Sequence, residues 1–209
     1  MTASTSGPTD GDLERLRQAT WPRAEDVAAA RRRAGDAAAH DVAEVAWTLV
    51  PSDLGPLLLA ATGDGLITLA YGDAEPVLER LARQVSPRIV ESPRSLAEPR
   101  REVEEHLAGT RRAFAVPLDW RLVRPGFTTR VLRATAALPF GTTATYGEIA
   151  AAAGSPRGAR AAGQALGSNP LPIVVPCHRV LASDGALGGY TSGVDRKRRL
   201  LAIEGIEVA

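Results

Sequence analysis

The sequence predicts an α+β protein of two domains behind an N-terminal extension. Three observations carry that prediction. Residues 42–120 alternate short apolar runs with turn residues, then switch to helical periodicity. A linker containing Arg124-Pro125-Gly126 follows. Residues 121–209 then read as a series of short helices with their own start and stop signals. The expected divisions are a partly helical extension at 1–41, an α/β domain at 42–120 and a mainly helical domain at 121–209.

In chain order, residues 1–12 are polar with Gly and Pro and are expected to lack order. "LERLRQAT" and "AEDVAAARRRAG" read as two short helices broken at Trp21-Pro22, with Gly35 ending the second. Arg31, Arg32 and Arg33 then form a solvated helix end at the favourable pole of the dipole. From Val42, "EVAWTLV", "PLLLAAT" and "LITLAYG" are strand-like, and "TGDGL" is a hairpin turn between the last two. "EPVLERLARQV" sets Val77, Leu78, Leu81, Ala82 and Val85 on one helical face. "SLAEPRREVEEHLAG" opens with Ser95 and Glu98 at capping-box spacing and stops at Gly109. "RAFAVPLDW" reads as a further strand. Asp53, Asp64 and Asp73 occupy turns, where Asp ordinarily sits.

Past the linker, "TTRVLRATAALPFG" is a helix ending near Pro139. "TYGEIAAAAG" has a second capping box, Thr145 with Glu148, and Gly154 as its stop. "SPRGARAAGQALGSNP" offers Ser155 as N-cap and Pro156 at the first helical position. Two short helices joined by a tight turn make a helix-turn-helix candidate.

Composition narrows the function classes. The chain has 44% hydrophobic and 23% charged residues, ordinary for a globular protein. No apolar run approaches the length of a membrane span, and the first residues lack the cationic start and apolar stretch of a secretory signal. One cysteine excludes an intramolecular disulfide, so a reducing, cytoplasmic setting is expected. Net charge is +1 but is unevenly spread. Residues 1–120 hold 14 Arg against 19 acids, whereas residues 121–209 hold 10 Arg and one Lys against 5 acids. A basic half suits a polyanionic partner; the plainer reading is that the asymmetry only serves solubility.

Two features bear chemistry. The second helix of the pair would carry Arg157 and Arg160 on one face among Gly158, Ala159, Ala161, Ala162 and Gly163. Small residues with two cations suit a DNA groove, or equally a helix packed closely against its own domain. The other feature is Cys177, flanked by Pro176 and His178. A free cysteine is either an inert small hydrophobe or a nucleophile, and the nucleophile needs a base or a positive field. His178 could supply the base, given a turn or a bridging water, because neighbours in a true strand point apart. His40 and His106 have no thiol partner, so they read as ordinary histidines and no metal is expected.

Together these residues resemble the O6-alkylguanine-DNA alkyltransferase family. The resemblance rests on "PCHRV" (176–180), "GSNPLPIVV" (167–175), "TYGEIAAAAGSPRGARAAGQALGSNP" (145–170) and "SDGALGGYTSGVDRKRRLLAIEG" (183–205), with "GPLLLAATGDGLITLAYG" (55–72) upstream. It covers about residues 42–206. It implies a ribonuclease-H-like α/β domain and a winged-helix-like domain with a helix-turn-helix. It also implies the reaction: a duplex-DNA-binding protein flips an O6-alkylated guanine through the minor groove and takes the alkyl group onto cysteine.

The resemblance assigns roles by position. Cys177 is the acceptor, His178 the general base through a water, and Glu204 orients His178. Asn169 is the hinge between recognition helix and cysteine loop. Arg160 fills the gap left by the flipped base, with Arg157, Ala159 and Gly163 also on the DNA side. Tyr146 helps rotate the nucleotide and donates a proton toward the leaving guanine. Backbone groups of Cys177, Val180 and Thr191 read the base, Tyr190 and Pro172 wall the pocket, and Lys197 serves structure or electrostatics. No cofactor or metal is implied, and the family's zinc site and second acceptor cysteine are excluded by the single cysteine. With a thioether product, the protein acts once. A monomer in solution is expected; cooperative loading on DNA and O4-alkylthymine as a substrate stay open. The alternatives are a non-catalytic lesion binder of the alkyltransferase-like kind, a helix-turn-helix regulator and a cysteine hydrolase.

Overall fold

The computed structural model describes residues 43–208. The helices expected before residue 36, the Arg31–Arg33 run and His40 lie outside them. Strands β1 (Val45–Val50), β2 (Leu57–Thr62) and β3 (Gly65–Tyr71) form an antiparallel meander. Helix α1 (Ala74–Gln84) then returns the chain to β4 (Ile89–Glu91), which pairs parallel to β1. The sheet order is β3-β2-β1-β4. Leu57 to Ala60 of β2 are all buried, because both faces of this interior strand are covered. Leu58 and Ala60 join Leu81 of α1 on one side. Leu57 and Leu59 point the other way, into a core shared with Val131, Ile149, Ala162 and Val175 of the helical half. That shared core fixes the helical half against the sheet.

Helix α2 (Ala97–Leu107) departs from its expected start. Leu96, not Ser95, precedes it, and no side chain caps it. Residues 93–96 form a turn that drives Leu96 into the core, so the helix begins one residue late. Ser95 Oγ meets Ser92 Oγ at 3.0 Å, and Glu98 pairs with Arg101 instead. "RAFAVPLDW" is not a strand either. It touches β3 through one bridge, Leu66 with Leu118. The amides of Ala115 and Val116 donate to the Glu102 carboxylate, and Pro117 has no amide to give, so no ladder can propagate.

The helical half contains α3 (Phe127–Ala136), β5 (Ala144–Thr145), α4 (Tyr146–Ala152), α5 (Ala159–Gly167), a single 3₁₀ turn (Cys177–Arg179), β6 (Val180–Leu181) and α6 (Val194–Ile203). The Thr145–Glu148 capping box is present and starts α4. Helix α5 begins at Ala159, not at Ser155. Residues 155–158 form a turn closed by the Gly158 N–H on the Ser155 carbonyl at 2.8 Å. A Cβ on Gly158 would sit 2.7 Å from Ser155 Oγ, so this turn needs glycine. Arg157 therefore lies in the turn and does not share a helical face with Arg160. A two-residue parallel ladder, Ala144 with Val180 and Thr145 with Leu181, ties the start of α4 to the residue after the cysteine turn. No helix among the described residues is long and apolar enough to cross a membrane.

Candidate active site

The cysteine is delivered by a rigid, buried approach. Residues 170–176 are all buried, and Ile173 holds φ at 73°, where a β-branched residue is strained by about 1–3 kcal/mol. Complete burial of Ile173 in the shared core holds it there. Asn169 braces this loop from the end of α5. Its Oδ1 accepts the Leu171 N–H at 3.0 Å, while its Nδ2 donates to the Val175 carbonyl at 2.9 Å and to Cys177 Sγ at 3.2 Å. Cys177 then opens the 3₁₀ turn, half-buried. Burial pushes its thiol up; the Asn169 amide, the Tyr190 hydroxyl and the Lys197 ammonium pull it partly back. At rest the sulfur is a protonated thiol.

His178 sits next in the turn and is fully buried. Its Nε2 is 2.9 Å from Glu204 Oε1, just past α6, so Nδ1 is the nitrogen left without a partner. Burial lowers the imidazole below its ordinary range, and Glu204 works against that, so the ring is neutral at rest. Burial alone would raise Glu204; bonds from His178 and Arg179 overcome it and bring the carboxyl to about 2. Arg179 makes a two-pronged contact, Nε to Oε2 and Nη2 to Oε1, each 2.8 Å. The Gly141 N–H adds a fourth bond at 3.1 Å. Four donors leave the carboxylate ionised and immobile.

His106 approaches the same carboxylate from α2, with Nε2 3.7 Å from Oε1. Its ring packs tilted against Phe114 and edge-on to Phe140, and its Nδ1 lies 3.2 Å from the Arg111 carbonyl oxygen. His106, His178 and Glu204 place one ligand atom each within 4.8 Å of one another. The set does not suit a cation: both carboxylate oxygens are already held by the Arg179 guanidinium. Lys197 is fully buried as well. Its Nζ donates to the carbonyls of Val180, at 2.6 Å, and Leu187. Burial lowers it to about 8, with Cys177 raising it in part.

Cys177 opens onto a cavity of about 850 Å³. Asn169, Pro172, Tyr190, Thr191 and Tyr146 line it. Tyr190's hydroxyl is buried against the Tyr71 hydroxyl and the Cys177 sulfur, and Thr191 Oγ1 donates to the Gly167 carbonyl at 3.1 Å. Val180 does not line the cavity. Its side chain is in the core and its carbonyl holds Lys197, so it supports the site from behind. Tyr146 lies over Gly163, where a Cβ would come within 3.7 Å of the ring, and beside Gly188, where it would come within 3.2 Å of the hydroxyl. A second, open groove is lined by Ala159 and the exposed Arg160, and it shares Tyr146, Gly163 and Gly189 with the cavity. The structure thus brings Cys177, His178, Glu204 and Asn169 together, places Tyr146, Pro172, Tyr190 and Thr191 around the cavity, and leaves Arg157 and Arg160 outside.

Sequence reasoning missed Arg179 as a ligand of Glu204, the contact of His106 with that carboxylate, and the wall supplied by the sheet: Thr68, Tyr71 and Arg80. Only Arg179 had a signal, its place inside "PCHRV". The others follow from how the two halves dock.

Comparisons with known proteins show the family of the chain. Residues 126–206 match the family described as 6-O-methylguanine DNA methyltransferase, DNA binding domain, and residues 45–120 match its ribonuclease-like domain. The chain is 44% identical over 147 residues to a methylated-DNA--protein-cysteine methyltransferase of Mycolicibacterium paratuberculosis, covering 67% of this chain and 86% of that one. It is 37% identical over 161 residues to a protein of the same name from Methanosarcina acetivorans, covering 76% of this chain and 97% of that one. Among solved structures, Mycobacterium tuberculosis OGT in complex with DNA aligns with a TM-score of 0.66 at 37% identity, over 76% of this chain and 92% of that one. The chain belongs to the 6-O-methylguanine DNA methyltransferase family.

Proposed function

We propose that this protein repairs DNA by direct reversal. Cys177 takes the alkyl group from O6-alkylguanine in duplex DNA, irreversibly and once per molecule. The observation that carries this reading is the placement of the thiol. It lies at a cavity wall, one residue from an imidazole whose far nitrogen is fixed by a buried carboxylate at 2.9 Å.

Duplex DNA meets α5 through the minor groove, where Ala159 and Gly163 allow close approach. Arg160 enters the stack as the alkylated base leaves it, offsetting part of the few kcal/mol that extrusion costs. Arg157, in the turn before α5, reaches the backbone. The base passes Tyr146 and Gly163 and enters between Pro172 and Tyr190, read by backbone groups of Cys177 and Thr191. His178 Nδ1 takes the thiol proton through a bridging water, and Glu204 stabilises the resulting imidazolium. Arg179 keeps Glu204 ionised, so the proton stays on His178. The thiolate attacks the alkyl carbon in line. The C–O6 bond breaks, its electron pair passes to guanine, and Tyr146 donates a proton there. Burial, followed by the nearby sulfur, raises the Tyr146 hydroxyl, so it is protonated when needed. Lys197 supplies positive field to the thiolate. A reducing, cytoplasmic setting keeps the lone thiol available, and a single copy suffices for the reaction.

Mass spectrometry after incubation with a duplex carrying O6-methylguanine tests this. The expected result is a gain of one methylene on the Cys177 peptide, reaching one equivalent and stopping. Retention of the duplex with no change in mass would mean a lesion binder without transfer.

A further inference from the structure

The chain has three tyrosines, and all three line the cavity with Cys177. Tyr146 also borders the open groove. Tyr71 comes from the end of β3; its hydroxyl meets that of Tyr190, which in turn meets the Cys177 sulfur. Both hydroxyls are buried, and neither has a hydrogen-bond partner outside that row. Arg196 stacks over the Tyr71 ring, 4.8 Å from its centre. The same strand grips the cysteine loop. β3 is an outer strand of the sheet, and its free edge is spent on Pro170. The Leu69 N–H and the Thr68 hydroxyl both donate to the Pro170 carbonyl, each at 2.9 Å. Arg80 Nη2 donates to Thr68 Oγ1 at 3.3 Å, so the Thr68 hydrogen stays committed to Pro170. Pro170 directly follows Asn169, whose Nδ2 donates to the sulfur at 3.2 Å. β3 thus stands behind both uncharged side chains that reach the sulfur.

We propose that β3 takes part in the reaction: Tyr190 is a catalytic donor to the Cys177 thiolate, and Tyr71 and Thr68 are positioning residues that hold the Tyr190 hydroxyl and the Asn169 amide on it. The proposal rests on the alkyl-transfer reading above. A thiolate accepts hydrogen bonds and gives none. Once the thiol proton has passed to His178, the Tyr190 O–H donates to sulfur and the Tyr71 O–H donates to the Tyr190 oxygen. Both hydrogens then point one way. Bonds in such a row polarise one another, and the Arg196 guanidinium over the Tyr71 ring adds to the effect. Without the Tyr71 hydroxyl, the Tyr190 hydroxyl loses the donor that fixes its direction. Burial pushes Tyr71 up to about 12 and raises Tyr190 as well, so both phenols give hydrogen bonds and keep their protons. The other charged or titratable groups around the sulfur are Lys197 and Arg196 of α6, Arg80 of α1, Tyr146 of α4 and His178 of the same turn. No Asp or Glu lines the cavity among the described residues. A change confined to a tyrosine or threonine hydroxyl leaves all of these in place, so the titration of the thiol then reads the donors.

The test is the pH profile of Cys177 alkylation by iodoacetamide without DNA, run beside single-turnover transfer from an O6-methylguanine duplex. In Tyr190→Phe the midpoint should rise by about one pH unit, and transfer should fall roughly tenfold, the scale of a lost hydrogen bond to an anion. Tyr71→Phe should shift the midpoint less, in the same direction. It should add nothing in the Tyr190→Phe background, because Tyr71 acts through Tyr190. Thr68→Val should also raise the midpoint, and Thr68→Ser should restore it. Duplex affinity of Tyr71→Phe and Thr68→Val should match wild type, since α5 is untouched. A Tyr71→Phe profile that overlies wild type overturns the proposal. So does a Tyr71→Phe effect that is equal with and without the Tyr190 hydroxyl, since Tyr71 would then serve packing alone. If the variants fail to fold, 3-fluorotyrosine incorporated throughout the wild-type chain takes their place. Its phenols are stronger donors, and all three lie at this cavity, so the midpoint should fall; an unmoved midpoint overturns the proposal. Absence of methyl transfer by wild type sinks the repair reading alone, because the iodoacetamide profile needs no DNA.

Discussion

Among the described residues, the sheet half and the helical half each bury one glutamate, Glu102 and Glu204. Glu102 receives the backbone amides of Ala115 and Val116 and faces Arg111 Nη1 at 3.3 Å. Glu204 receives one backbone amide but also an imidazole and a two-pronged guanidinium. Depth and residue type are alike; the partners differ. A carboxylate that holds backbone shapes a loop. One that holds a titratable ring sets where that ring keeps its proton. Burial of a charge therefore does not by itself mark chemistry, and the identity of what the charge orients does.

Paired substitutions sharpen that contrast, and the largest effect is expected at Glu204. In Glu204→Gln the imidazolium loses its counter-charge, and single-turnover transfer should fall on the order of 10²-fold or more. Stability should also fall by about 3 kcal/mol, because Arg179 is left buried and unpaired. Glu102→Gln should lose about 1–3 kcal/mol of stability, while its transfer rate per folded molecule stays near wild type. Denaturant titration alongside transfer kinetics separates the two. Equal rate losses in both variants would erase the distinction.

The same contrast explains what could be read from sequence. The meander, α1 and the α4 capping box depend on neighbours within a few residues, through periodicity, turn chemistry and caps, and the sequence reading of each agrees with the structure. Failures came where a distant group took over a local one. Glu102 claimed the amides that "RAFAVPLDW" needed to be a strand. Burial of Leu96 displaced the cap that Ser95 offered. At the site, the Asn169 brace follows from a loop eight residues long, whereas Arg80, Tyr71 and His106 arrive from the other half of the molecule. No spacing within 145–205 could announce them.

A smaller effect is expected outside the cavity, at the exposed Arg160. Its side chain is placed by α5 alone and has no ion-pair partner among the described residues, so Arg160→Ala should leave the melting temperature in place. Affinity for duplexes carrying the lesion should fall on the order of tenfold as the vacated stack goes unfilled, and transfer at limiting protein should fall with it. Fluorescence anisotropy across a salt series checks this. Undiminished binding and repair would mean that α5 is a packing helix, the plainer of its two readings.

The smallest effect lies where the halves meet. His106 belongs to the sheet half by sequence, yet it packs 3.7 Å from Glu204. Burial, opposed by Glu204 and reinforced by His178 and Arg179, lowers His106 to about 4, against an ordinary 6.5. The folded protein therefore prefers the neutral ring. Between those two values the unfolded chain binds a proton that the folded chain refuses. Stability is full above about 6.5 and declines as the pH drops toward 4, by at most ~1.4 kcal/mol per pH unit. His178 is lowered in the same direction, so it adds to the slope. In His106→Phe the slope over this window should shrink without vanishing, measured by urea midpoints from pH 7 to 4. An unchanged slope would mean that the ring is solvated in the folded state. The glutamate that orients the general base would then owe nothing to the sheet half.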